Sequence, residues 1–211
     1  MFFELYFEEE RTISRQYAEM LQAAMARLTT LDLKSAAEKA GMRYDPPYIM
    51  GTTFGQTFSI NLVDYRVEPE LNMWHYLTIL QYLESVDGRN PNDVWIGLSD
   101  FPNGGAVRGV SFDREIGNLI ASGLSACTPE RMIDACEALG GRVELDGQSD
   151  ISAVIFFLSK YPLRFNLWLA DDEFSASGRV LLNDAVKQTF GVEAAGTIAT
   201  ILIQKLIKKI G

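Results

Sequence analysis

Three consecutive carboxylates, Asp171, Asp172 and Glu173, stand directly after the largely apolar run Arg164-Phe-Asn-Leu-Trp-Leu-Ala170. Nowhere else does the chain gather charge of one sign against so apolar a background. Read as a strand end, alternate side chains point to opposite faces, so Asp171 and Glu173 share one face and Asp172 takes the other. Two carboxylates ~7 Å apart at the backbone can converge on a hard cation such as Mg²⁺, Mn²⁺ or Ca²⁺, or hold one proton between them. Either arrangement supports metal-assisted or acid–base chemistry, with Asp171 and Glu173 as the metal ligands. The plainer reading is a solvated strand end at which acidic residues stop a sheet.

The same alternation sets Arg164, Asn166, Trp168 and Ala170 on one face of the preceding run, and Phe165, Leu167 and Leu169 on the other. An Arg-Asn-Trp face can line a ligand cleft by stacking and hydrogen bonding. It can equally be a second sheet face covered by helices, with Arg164 in a salt bridge. His75 is the single histidine. It aligns with Leu71, Ile79 and Tyr82 at helical spacing, the setting of a packed imidazole. Catalysis at His75 needs a nucleophile or carboxylate brought from elsewhere, and the chain has no Gly-x-Ser-x-Gly elbow. Asn103-Gly104-Gly105 offers backbone amides to an anion with Arg108 and Arg114 nearby, but it lacks the Walker lysine and the Gly-x-Gly-x-x-Gly spacing. Glycines serving a turn account for it.

Composition excludes several classes. With 211 residues, 47% hydrophobic and 22% charged, the chain is ordinary globular material, and a net charge of −9 disfavours a backbone-tracking nucleic-acid binder. No basic patch is visible along the sequence. No apolar run reaches the ~18 residues of a membrane span, and Met1-Phe2-Phe3-Glu4 lacks a signal peptide's positive start. The expectation is a cytoplasmic protein that binds neither nucleic acid nor membrane. Cys127 and Cys136, placed along one helix, lie ~13 Å apart, beyond bridging distance. With one histidine and no Cys-x-x-Cys, the chain by itself builds neither a Cys/His zinc site nor an iron–sulfur cluster.

The elements that must position these residues follow from periodicity. Thr12 caps an amphipathic helix carrying Ile13, Tyr17, Met20, Leu21, Ala24 and Leu28, and Glu8, Glu9 and Glu10 favour its start. A second helix runs from Asp32 as cap to Gly41 as stop. Asp45-Pro46-Pro47 then interrupts. Thr57–Leu62 alternates strictly and pairs in a hairpin with Tyr48–Phe54, with Gly51 or Gly55 at the turn or a bulge. Leu71–Val86 is an unusually aromatic helix closed by Asp87-Gly88. Val94–Ile96 is a short strand, and Phe101–Gly109 reads as a loop because Pro and its glycines do not fit one regular element. Helices follow at Asp113–Gly123 and behind Thr128-Pro129, the latter stopping at Gly140-Gly141. Ile151–Leu158 and Leu163–Ala170 are adjacent buried strands at the sheet centre. Val180–Phe190 is ambiguous. Glu193–Ile210 is a helix whose Lys205, Lys208 and Lys209 complement its C-terminal dipole.

His75-Tyr76-Leu77, Pro102 with Gly104-Gly105, Phe112-x-Arg114, Trp168-x-x-Asp171-Asp172-Glu173-Phe174 and Leu181-Leu182-Asn183-Asp184 together resemble a family of anaerobic bacteria and archaea classed as a domain of unknown function. The resemblance spans residues 45–205, and the Trp-x-x-Asp-x-Glu-Phe element is its most specific part. It directs attention to His75, Tyr76, Arg114, Trp168, Asp171, Asp172 and Glu173 without giving them roles. Some similar proteins include a cysteine-rich iron–sulfur segment and keep company with corrinoid and one-carbon metabolism. This chain lacks that segment.

The sequence therefore predicts a single α+β domain over residues 1–211, with an N-terminal helical part at 1–41 and a family-like core at 45–205. A mixed or antiparallel sheet carries helices packed on it. The expected role is an accessory protein that binds a small molecule or a protein partner beside the Trp168–Phe174 strand end. His75, Tyr76, Arg114, Arg164, Trp168, Asp171, Asp172 and Glu173 are the candidate binding residues. One alternative is a metal-dependent hydrolase or transferase with a divalent cation on Asp171 and Glu173 and His75 as base. Another is a homodimer built on the terminal helix and a sheet edge. No cofactor other than that cation is evident.

Overall fold

Capping and periodicity place most elements where the sequence sets them. In the computed structural model, which describes residues 15–144, 147 and 149–211, α1 runs from Arg15 to Leu28 and α2 from Leu33 to Ala40. The expected cap Thr12 and the Glu8–Glu10 run lie outside the described residues. Asp32 accepts from the Ser35 amide, and Gly41 closes α2 in the left-handed region at φ 69°. Strands β1 (Arg43–Asp45), β2 (Tyr48–Thr53), β3 (Gln56–Asn61) and β4 (Val67–Glu68) follow. They form an antiparallel sheet in that order. Thr53 pairs with Gln56 across Phe54 and Gly55, both at positive φ (46° and 74°), a two-residue type I′ turn. Gly51 lies within β2, so Gly55 alone serves the turn.

Helix α3 (Met73–Ser85) begins at Asn72, whose side chain accepts from the Trp74 amide. Strand β5 (Trp95–Ile96) leads through a 3₁₀ turn, Leu98–Asp100, towards α4 (Val110–Gly123). The expected loop over Phe101–Gly109 is corrected here. Residues Gly105–Gly109 form a π-helical turn continuous with α4. Glycine permits this by close approach: a Cβ at Gly105 would stand 2.6 Å from the Ser99 carbonyl oxygen, and one at Gly109 would strike the Leu98 carbonyl. Helix α5 (Pro129–Ala138) is capped by Thr128 with proline in its first turn. Cys127 thus precedes the helix that holds Cys136, and both thiols are free.

Strands β6 (Arg142–Glu144), β7 (Ile151–Leu158), β8 (Tyr161–Trp168) and β9 (Ser177–Asn183) complete a second antiparallel sheet of order β5-β9-β8-β7-β6. The apolar runs are adjacent at its centre, as expected, although β8 starts and ends two residues earlier than the apolar run suggests. The ambiguous stretch divides into the end of β9 and a 3₁₀ segment, Asp184–Gln188. Helix α6 (Val192–Ile210) is the longest, and it packs on α3, α4 and α5. The fold is α+β with two separate antiparallel sheets rather than one. They meet where the Phe54 amide donates to the Phe156 carbonyl, 2.9 Å.

Among the described residues, one contiguous cluster of buried side chains runs through both sheets and all six α-helices. Phe165, Leu163, Leu167, Ile155 and Leu182 are fully buried. They share the sheet face on which α4 and α5 lie: a Cβ on Gly178, opposite Leu167, would meet Ile120 of α4, and one on Gly141 would meet Ile155. Burying a side chain of this size contributes ~1.5–3 kcal/mol. No helix among the described residues is long and apolar enough to cross a membrane.

Candidate functional site

The opposite face of the second sheet carries the polar side chains. Cross-strand pairing places Glu144 beside Ser152, Ser152 beside Asn166, and Asn166 beside Arg179, a polar row across four strands. A parallel row runs Arg142, Val154, Arg164, Leu181. Trp95 pairs with Asn183 and Trp168 with Ser177, so both indoles lie on this face too. The floor is closed: Ser152 and Asn166 are buried and joined by a 3.0 Å hydrogen bond. The rim is open, with Arg142 and Arg179 exposed and Trp95, Arg164 and Trp168 half-buried.

Two guanidiniums lie over two indoles here. Arg164 stands 4.8 Å from the Trp95 ring centroid and Arg179 5.7 Å from that of Trp168. Arg164 also pairs with Glu144 at 2.8 Å through Nη2, while its Nε is buried with no hydrogen-bond partner among the described residues. A buried donor without an acceptor costs ~1–3 kcal/mol, and such a group calls for an explanation. Three arginines against Glu144 make this face cationic on a chain of net charge −9. The patch was invisible in the sequence because β6, β8 and β9 each contribute a single arginine to it.

The Arg164-Asn166-Trp168 face read from alternation exists, with Ala170 falling beyond the strand end. The acidic cluster differs from expectation. Since β8 ends at Trp168, Asp171 and Glu173 are not alternate strand positions. The segment closes as a turn: Asp171 Oδ1 accepts from the Glu173 and Phe174 amides at 2.9 and 2.7 Å, and the Asp171 amide donates to the Phe174 carbonyl at 3.0 Å. Those amide hydrogen bonds hold the Asp171 carboxyl below its usual range. Asp172, Glu173 and Phe174 are exposed. Among the described residues no group of three or more His, Cys, Asp and Glu side chains is placed to hold a metal ion.

The structure does not bring His75 to this turn. Its ring packs against Phe54 and Phe157, with centroids 5.5 and 5.6 Å away, and Nε2 lies 2.7 Å from Thr53 Oγ1. Phe157 adjoins the β7–β8 turn at Leu158 and Tyr161. Trp168 ends the same strand seven residues on, ~23 Å away at ~3.3 Å per residue. The imidazole and the carboxylates therefore sit at opposite ends of the sheet. Burial, followed by the nearby Lys205 cation, pushes the His75 pKa down to about 3. It is a neutral core side chain.

Tyr76 is also a core residue, its hydroxyl donating to the Tyr65 carbonyl at 2.6 Å. Arg114 is exposed on α4. The Gly104 carbonyl accepts from the amides of Val107, Arg108 and Gly109. Lys205 lies 5.9 Å from the Phe54 ring centroid, half-buried, while Lys208 and Lys209 occupy the last turn of α6.

Sequence reading missed Trp95, Glu144 and Arg179. The strand of Trp95 is two residues long, and Gly178 hides the alternation of Ser177, Arg179 and Leu181 against Val180 and Leu182. That alternation was the available signal.

A family model described as a domain of unknown function, DUF3786, matches residues 32–205. The match includes α2 and so begins before the expected boundary at residue 45. No curated protein and no solved structure matches the chain.

Proposed function

The chain belongs to the family described as domain of unknown function DUF3786, and from that premise we propose that it is a non-catalytic cytoplasmic accessory protein that binds an anionic small molecule or protein partner on the outer face of its second sheet. Arg164, Arg179 and Arg142 supply charge, and Trp95 and Trp168 supply π surface. The acidic turn Asp171–Phe174 borders the face at its Trp168 end. The observation that carries this reading is Arg164 Nε, a buried cationic donor without an acceptor among the described residues, positioned beside an indole on the cationic side of an acidic protein. A bound carboxylate or phosphate would satisfy it. The separation of His75 from the acidic turn is why a binding role is preferred to a hydrolase.

The test is a titration of the intrinsic tryptophan fluorescence with inorganic pyrophosphate and with a poly-glutamate peptide. Saturable change with either, lost in Arg179→Ala/Arg142→Ala, supports the reading. An unchanged signal with both anions removes it.

A further inference from the structure

The order of groups along β9 narrows the ligand. Trp168 pairs with Ser177, Asn166 with Arg179, Arg164 with Leu181, and Trp95 with Asn183. Taken along the strand, the outer face reads indole, guanidinium, guanidinium, indole. Ser177 and Asn183 are six positions apart, so the two indole stations span ~20 Å at ~3.3 Å per residue. The arginine stations lie inside them. Resting on the binding role proposed above, we infer that this face takes a dinucleotide: two planar rings joined by a diphosphate.

Each part of such a ligand meets its chemical complement. The diphosphate falls between Arg164 and Arg179, whose planar N–H forks suit phosphate oxygens better than a lysine point charge does. One of those donors is Arg164 Nε, which has no hydrogen-bond partner among the described residues. The rings fall at Trp95 and Trp168, where a base gains ~1–3 kcal/mol by stacking on an aromatic side chain. Glu144 stays paired with Arg164, and the carboxylates of Asp171–Glu173 stand beyond the Trp168 station, where they repel phosphate but accept hydrogen bonds from ribose hydroxyls or an exocyclic amine. Recognition here uses side chains on a sheet. This fits a chain without the glycine-rich strand-to-helix loop that holds a diphosphate at a helix N-terminus.

The experiment is fluorescence titration of the full chain with NAD⁺, AMP, inorganic pyrophosphate and a short single-stranded DNA at one fixed salt concentration. The inference expects NAD⁺ to bind at least roughly tenfold more tightly than AMP or pyrophosphate, since it alone engages both arginines and both indoles. Arg179→Ala, an exposed position whose loss should leave the fold intact, should weaken NAD⁺ roughly tenfold with an unchanged melting temperature. Pyrophosphate binding as tightly as NAD⁺ overturns the inference and leaves a simple anion site, so the broader reading survives. DNA binding more tightly than NAD⁺, with a steep salt dependence, overturns it in favour of a nucleic-acid face. Silence with all four probes overturns it as well, and the poly-glutamate arm then decides the broader reading alone.

Discussion

Arg164 reaches over the indole of Trp95, 4.8 Å from its centroid, although β9 lies between their two strands. One side chain thereby spans the sheet from Glu144 on β6 to Trp95 on its far edge. Arg164→Lys keeps the charge but loses the planar stack and the forked donor, so the variant should lose ~1–2 kcal/mol in urea unfolding. A cycle with Trp95→Phe separates the stack from the ion pair. Coupling near zero would show that Arg164 acts only through Glu144.

His75 links stability to pH. Its folded pKa is pushed down to about 3, against ~6.5 in an unfolded chain. Between those values the unfolded state binds more protons, so stability is complete above pH ~6.5 and falls as pH drops towards 3, by an order of ~4–5 kcal/mol at the limit. Comparing pH 6.5 with pH 5, where carboxylates contribute little, wild type should lose ~1–2 kcal/mol more than His75→Gln. Equal losses would mean that the imidazole protonates in place.

Tyr161 is fully buried between Tyr82, Phe157 and Phe190, and its hydroxyl has no hydrogen-bond partner among the described residues. Burial raises its pKa well above the usual tyrosine value, so the hydroxyl stays protonated and gains nothing from charge. Tyr161→Phe keeps the ring and removes the unsatisfied group, and it should leave stability unchanged or raise it by ~1 kcal/mol. A loss above ~1 kcal/mol in thermal or urea unfolding would show that the hydroxyl has a partner in solution.

What the sequence revealed was local. Asp32 with Gly41 and Thr128 with Pro129 announce their helices because each end satisfies its own orphan amides or carbonyls within a few residues. The face of Arg164 and Trp168 was legible from period-two alternation within one strand. Trp95, Glu144 and Arg179 were not, because their neighbourhood depends on strand order β5-β9-β8-β7-β6, which connects residues far apart in the chain. The π-helical turn at Gly105–Gly109 was hidden for a related reason. Its glycines answer to the backbone of Leu98 and Ser99, a tertiary contact that looks like loop composition when read along the chain.

The acidic turn gives the sharpest test of metal chemistry. Asp171 Oδ1 is already held by two backbone amides, and a cation placed on it must compete with them. A divalent cation at 100 times its dissociation constant stabilises a fold by ~2.7 kcal/mol, a shift of roughly 5–10 °C for a chain of this length. Thermal unfolding in EDTA and then in Mg²⁺, Mn²⁺ or Ca²⁺ should therefore shift by less than ~2 °C. Asp171→Asn retains an acceptor oxygen for the Glu173 and Phe174 amides and should melt with wild type, whereas Asp171→Ala opens the turn and should cost ~0.5–2 kcal/mol, as loss of a side-chain cap does. A shift of full size with any cation, abolished in Asp171→Asn/Glu173→Gln, would instead make the turn a metal site and move the chemistry from the arginine face to the end of β8.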